Sequence, residues 1–228
     1  MRNIAENIWI FDGKAVPFLT LPFTTRMTVI RLSTGELWVH SPIELNATIQ
    51  VQIEQLGVVK YLIAPNHLHH LFLADWQLAY PDAICYGTDE VIKKRTDIQF
   101  EHSLNLKQDW PWALDIEQVL FTGSPLMEEC IFFHERSGVL IVTDLVENFP
   151  DTGFNSWQRI VAKGVGILAP NGKMPLDWRL SFAFNKTEAR SHLSVILGWQ
   201  PEIVVMSHGL IIEQDAVDFL KRSFGWLQ

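Results

Sequence analysis

Apolar residues come in short runs along this chain, and most runs stop at a turn residue or at a histidine. Ile8-Trp9-Ile10-Phe11 precedes the turn pair Asp12-Gly13. Met27 to Leu32 and Glu36 to His40 flank Ser33-Thr34-Gly35, the pattern of a hairpin. Ser41-Pro42 closes the second strand, because proline has no amide to donate to a ladder. Pro17 to Phe23 reads as irregular and apolar. Leu45, Ile49, Ile53 and Leu56 follow helical spacing, and Gly57 stops that helix. Val58 to Ile63 predicts a buried strand, and Leu71 to Tyr80 a helix ended by Pro81. Ile84-Cys85-Tyr86 predicts a short strand, and Asp89 to Lys94 a helical turn.

The second half repeats the theme. Val119-Leu120-Phe121, Cys130 to Phe133 and Val139 to Val142 form a strand cluster, with Ser137-Gly138 as the turn between the last two. Trp157 to Val165 has helical character, and Gly164 to Pro175 is rich in glycine and proline, hence loop. Asn185-Lys186-Thr187-Glu188 has the residues of a helix N-cap with an acid three positions on. Ile203-Val204-Val205-Met206 predicts a buried strand ended by Ser207-His208-Gly209, and Gln214 to Phe224 a final helix. Apolar strands flanked by helices predict sheets buried on both faces, and the hairpins make those sheets mixed. Two such sheets with outer helices give an α/β fold, a four-layer αββα sandwich. No low-complexity run or linker interrupts it, so residues 1–228 are expected to form a single domain.

Composition narrows the chemistry. The chain is 48% hydrophobic with a formal net charge of −8, which argues against a nucleic-acid partner, since that needs a cationic face. No stretch is long and apolar enough for a membrane span, and the N-terminus lacks the apolar core of a secretory signal, so a cytoplasmic location is the default expectation. Cys85 and Cys130 are the only cysteines, both in predicted strands, and make neither a disulfide framework nor a CxxC pair. Trp110-Pro111-Trp112 is expected to pack on the domain, the alternative being an exposed patch suited to homo-oligomer formation. No GxSxG, P-loop or GxGxxG motif is present.

The chemistry concentrates at strand ends. His67, His69 and His70 follow the strand at 58–63, Asp144 follows the strand at 139–142, and His208 follows the strand at 203–206. Imidazole and carboxylate both suit zinc, iron and manganese, so converging strand ends would make a metal site. The competing readings are structural: an aspartate at such a place caps a helix, and consecutive His69 and His70 point in different directions on a regular backbone. His102, His134 and His192 read as peripheral. Arg179, in an apolar setting, either pairs with a buried carboxylate such as Asp144 or binds an acidic group of a substrate, and Arg26 raises the same question.

The order of these pieces resembles the metallo-β-lactamase superfamily over most of the chain. Met27 to Pro42 looks like its opening hairpin, Leu62 to Leu73 like the strand and loop of its HxHxDH signature, Gly138 to Leu145 like the strand ending in its bridging Asp, and Ile203 to Gly209 like the strand ending in its last ligand His. The pattern Pro-Asn-x-x-His-His-x-Phe-Leu is closer still to an uncharacterised branch of that superfamily, DUF4336-like. The better placement sets Pro65, His67, His69 and His70 on the four signature positions, so the first ligand is missing and the aspartate is replaced. The segment Thr122 to Glu128 lacks the middle ligand His, with Glu128 as the nearby substitute, and Thr143 stands where Gly is usual.

The resemblance implies a metal set of His67, His69, His70, Asp144 and His208, with Asp144 and His70 as catalytic residues. It implies a degenerate, mononuclear site holding one Zn, Fe or Mn ion, and a metal-bound water acting on an ester, amide or phosphoester of a small-molecule substrate. Two alternatives stay open: a metal-free binding or scaffold protein that keeps the fold, and a non-hydrolytic iron-binding protein.

Overall fold

Alternating side chains organise the first sheet. The computed structural model describes residues 1–18 and 21–227, with the side chains at 17, 18, 21–23, 153 and 184 left undescribed. These residues divide into two compact units, one of residues 1–14 and 25–117, the other of residues 15–24 and 118–228.

The elements run β1 (Arg2–Ala5), β2 (Ile8–Phe18), β3 (Leu21–Arg31), β4 (Glu36–His40), α1 (Ala47–Leu56), β5 (Val58–Ala64), α2 (Leu73–Ala79), β6 (Ile84–Gly87), α3 (Asp89–Lys94) and β7 (Phe100–Ser103), all in the first unit except residues 15–18 of β2 and 21–24 of β3. The strands form one mixed sheet in sequence order, with β3 and β4 antiparallel and β4 to β7 parallel. Leu37, Val39, Leu62, Ala64 and Cys85 point to one face, where Ile53, Leu73, Trp76 and Val91 of the three helices cover them. Trp38, Tyr61 and Tyr86, one position out of phase, point to the other face and meet the edge of Trp112. This is the two-residue period of a strand buried on both sides. Trp110 and Trp112 stack at 5.3 Å, and Trp112 is fully buried, so this segment packs on its own unit.

The second unit contains β8 (Ile116–Phe121), β9 (Glu129–His134), β10 (Val139–Val142), α4 (Ser156–Val165), α5 (Leu176–Ser181), α6 (Lys186–Gly198), β11 (Ile203–Met206) and α7 (Ala216–Ser223). Its sheet runs β11-β10-β9-β8, with β10 parallel to β11 and antiparallel to β9. Phe121, Phe133, Leu140, Val142, Val204 and Met206 pack with Trp178, Ile196, Phe219 and Leu220 from the helices. Asn155 caps α4 through a reciprocal capping box with Gln158.

Two local expectations are corrected and one helix is added. Strands β2 and β3 run into the segment read as irregular, whose residues 19 and 20 lie outside the described ones. The short helix α5 is unexpected from the sequence, because six residues are too few to show a helical period. Helix α6 starts where expected, but the side chain of Asn185 does not cap it; its amide donates to Glu188 instead. Among the described residues, no helix is long and apolar enough to cross a membrane.

Candidate functional site

The histidine loop is shaped by the residue that precedes it. Asn66, fully buried, accepts the N–H groups of Leu68 at 2.9 Å and His69 at 3.1 Å through its side-chain oxygen. Such a turn sends successive side chains apart. His67 Nδ1 lies 2.7 Å from Glu90 Oε2 on α3. His69 Nδ1 lies 2.6 Å from the Ser41 hydroxyl at the end of β4. His70 turns to Arg95, whose Nη1 is 3.0 Å from its Nδ1 and 2.8 Å from its carbonyl oxygen. The three imidazoles share a loop but have three different partners, as the consecutive pair led one to expect.

Charge around His70 is positive. Burial first, then Lys94 and Arg95, push its pKa down to about 4, so the ring is neutral at pH 7. Asp97 faces the other edge of Arg95 through hydrogen bonds of 2.8 and 2.7 Å. The Arg95 hydrogen bond holds the Asp97 carboxyl down at about 2.

In the second unit, the parallel register decides the geometry. Val139 to Val142 of β10 stand opposite Ile203 to Met206 of β11, residue for residue. Asp144 lies two residues past the end of β10 and His208 two past the end of β11, so both leave the sheet at the same level. His208 Nε2 is 3.0 Å from Asp144 Oδ1, and both residues are buried. His208 Nδ1 lies 2.6 Å from the Thr24 carbonyl oxygen. A carbonyl only accepts, so Nδ1 carries a proton and the other ring nitrogen is turned to the carboxylate. The ring of Phe149 stacks on this imidazole.

Two further residues shape the pair. Glu129, fully buried, accepts the backbone N–H groups of Thr143 at 2.7 Å, Asp144 at 2.8 Å and Leu145 at 3.0 Å. This carboxylate in a cup of amides fixes the turn that carries Asp144. Gly209 adopts φ +93°, and a Cβ there would lie 2.2 Å from the Asn148 carbonyl oxygen, so only glycine lets the His208 turn lie against residue 148. Glu147 lies nearby in sequence, and burial, then Asp144, push its carboxyl well above the usual range.

The other candidates lie in ordinary structural roles. Asp144 caps no helix, since none begins there. Arg179 donates to the Val165 carbonyl at 2.9 Å and makes no ion pair with Asp144. Arg26 pairs with Asp12 at 2.7 Å. His102 is exposed on β7, His134 meets the Ser137 hydroxyl, and His192 accepts the Thr122 N–H. Glu128 is half-buried, while its neighbour Glu129 takes the structural role. Glu129, Thr24, Ser41 and Arg95 were missed by sequence reasoning. Glu129 alone carried a signal, an acid at the head of the apolar run Cys130 to Phe133.

Comparison with known proteins places this arrangement. The family described as Domain of unknown function (DUF4336) matches residues 5–160. The chain belongs to the DUF4336 family. No curated protein matches this DUF4336 chain. Among solved structures, it is similar to a metallo-beta-lactamase from Pontibacter korlensis, at 10% identity and TM-score 0.66, covering 100% of this chain and 97% of that one. It is similar to a metallo-beta-lactamase from Hirschia baltica at 11% identity and TM-score 0.64, covering 99% and 96%. The DIM-1 metallo-beta-lactamase matches at 13% identity and TM-score 0.64, covering 99% and 94%. At such identities the likeness is one of fold. This DUF4336 chain is a divergent branch with the α/β metallo-β-lactamase-like fold.

Proposed function

We propose that this DUF4336 chain is a metal-dependent hydrolase in which Asp144 and His208 hold a single divalent ion, and that its substrate is a small-molecule ester, amide or phosphoester. The observation that carries the reading is the buried Asp144–His208 pair, with His208 held by the Thr24 carbonyl. That contact leaves Nε2 to face a carboxylate oxygen 3.0 Å away. Two ligand atoms around an ion with bonds of about 2.0–2.2 Å stand roughly this far apart. A carboxylate with an imidazole and no thiolate suits zinc, iron or manganese.

When bound, such an ion supplies Lewis acidity and lowers the pKa of a water molecule. The chain's own residues do the orienting. Thr24 fixes the His208 tautomer and Glu129 sets the direction of Asp144. Partners of this kind raise ligand affinity by removing rotational freedom.

A second reading has its own support. A protonated His208 and an ionised Asp144 at 3.0 Å also form a complete ion pair, as in a metal-free binding protein that keeps the fold. Metal analysis of protein purified without chelator or nickel separates the two. The hydrolase reading expects about one equivalent of zinc, iron or manganese, lost in Asp144→Asn and in His208→Ala, and turnover on a panel of ester, amide and phosphoester substrates. Protein that binds no ion even after incubation with zinc, manganese or ferrous iron would establish the scaffold reading. Bound iron without hydrolysis would establish a non-hydrolytic metalloprotein.

A further inference from the structure

His70 stands at the last of the four signature positions, where the resemblance implies a metal ligand, yet its neighbours point it elsewhere. Asp97 grips Arg95 through both Oδ1 and Oδ2, at 2.8 and 2.7 Å. The guanidinium so held directs Nη1 at His70, 3.0 Å from Nδ1 and 2.8 Å from the carbonyl oxygen of the same residue. A guanidinium only donates. Nδ1 therefore presents its lone pair to Arg95, and a neutral ring then carries its proton on Nε2. Nε2 is buried and has no hydrogen-bond acceptor among the described residues.

Neither ring nitrogen is then available to an ion. Ligation through Nδ1 requires Arg95 to leave. Ligation through Nε2 requires the proton to move to Nδ1, where it would face the N–H of Arg95. Local charge opposes an ion as well: the Arg95 cation touches the ring, and Lys94, the preceding residue, donates to the His67 carbonyl at 3.1 Å.

We propose that Arg95, clamped by Asp97, keeps His70 out of the ligand set and makes its Nε2–H a hydrogen-bond donor, so that this chain holds one ion rather than two. The inference rests on the metal reading above for its consequence, but the tautomer does not depend on any metal.

Nitrogen-15 NMR of the full chain with labelled histidine tests it, using His70→Asn to assign the signal. The metal-free protein should show His70 with Nδ1 unprotonated and Nε2 protonated. Zinc added to two equivalents should leave that signal in place, with uptake ending at one equivalent. A proton on Nδ1, or a His70 signal that shifts to a zinc-bound position, would overturn the proposal. Arg95→Met should release the ring to a mixture of tautomers and raise zinc uptake toward two equivalents; uptake unchanged at one would remove Arg95 from the account. Should no zinc bind at all, the metal reading fails, while the metal-free spectrum still decides the tautomer.

Discussion

Glu129 accepts the backbone N–H of Asp144 at 2.8 Å from a fully buried position on β9. The same carboxylate also takes the N–H groups on either side of it, at Thr143 and Leu145. A carboxylate that collects three amides in the interior is hard to replace. Glu129→Gln puts an NH2 group against one or more of those N–H groups. The loss should be about 3 kcal/mol of stability, the cost of losing charge-assisted hydrogen bonds and stranding buried donors. Urea denaturation measures it. A variant that unfolds at the wild-type midpoint would show that the carboxylate does not hold this turn.

Gly209 is required by geometry rather than by propensity. At φ +93°, with the Asn148 carbonyl oxygen 2.2 Å from an added Cβ, Gly209→Ala must displace the His208 turn. The expected cost is roughly 3 kcal/mol, with weakened metal uptake. Gly164, in helix α4 with nothing within 4 Å, is the control: Gly164→Ala should stabilise by about 0.5–1 kcal/mol.

Ser41 holds His69 through a 2.6 Å contact to Nδ1. Ser41→Ala removes the orienting partner and leaves the imidazole in place. The His69 ring should lose its fixed orientation, with little change in thermal stability. A His69 Nδ1 signal unchanged in nitrogen-15 NMR would show that Ser41 does not orient the ring.

The pH dependence of stability carries the mark of His70. Its pKa is about 4 in the folded chain, against 6.5 when unconstrained. Between these values the unfolded chain takes up a proton that the native one refuses, so stability falls as pH drops from 6.5 toward 4. Burial also lowers the pKa of His40, with the same sign, while the raised Glu147 acts with the opposite sign above 4.5. Comparison with His70→Gln isolates the one ring. Wild type should lose roughly 1–2 kcal/mol relative to that variant between pH 7.5 and 4.5, after allowance for solvent screening. A difference that stays constant with pH would contradict the assignment of a neutral, buried ring.

Both thiols should be silent in the folded protein. Cys85 and Cys130 are fully buried; burial pushes Cys85 to about 12 and Cys130 well above its ordinary value. An aromatic disulfide reagent at pH 8 should label neither in native protein and both in denaturant. Rapid labelling of the native chain would mean that β6 or β9 opens readily.

Much of the architecture was legible from the chain. Val139 to Val142 and Ile203 to Met206 announced themselves as buried strands by unbroken apolar runs, and Val58 to Ile63 by a run broken only at Lys60, and each proved to be a strand. Helix α1 showed itself by its apolar spacing and α7 by the run before Phe224. The family also showed in the histidine loop, where the order of strand, Asn66 turn and helix carries the resemblance.

Roles inside the site were not legible. Asp144 and His208 each end a strand, a local fact that any reader of the sequence can state. That they face one another follows from the parallel pairing of β10 and β11, which joins segments 64 residues apart and leaves no trace in either. His67, His69 and His70 look equivalent in the chain, but Glu90, Ser41 and Arg95 give them three different fates. Hydrophobic periodicity is a local property, so strands, helices and the fold class could be read from it. Hydrogen-bond partners are chosen across tertiary contacts, because a polar side chain goes to whichever complementary group packing brings within 3 Å. The sequence by itself thus determined which segments are buried and which end in chemistry; only the tertiary structure decided which of those ends point at each other.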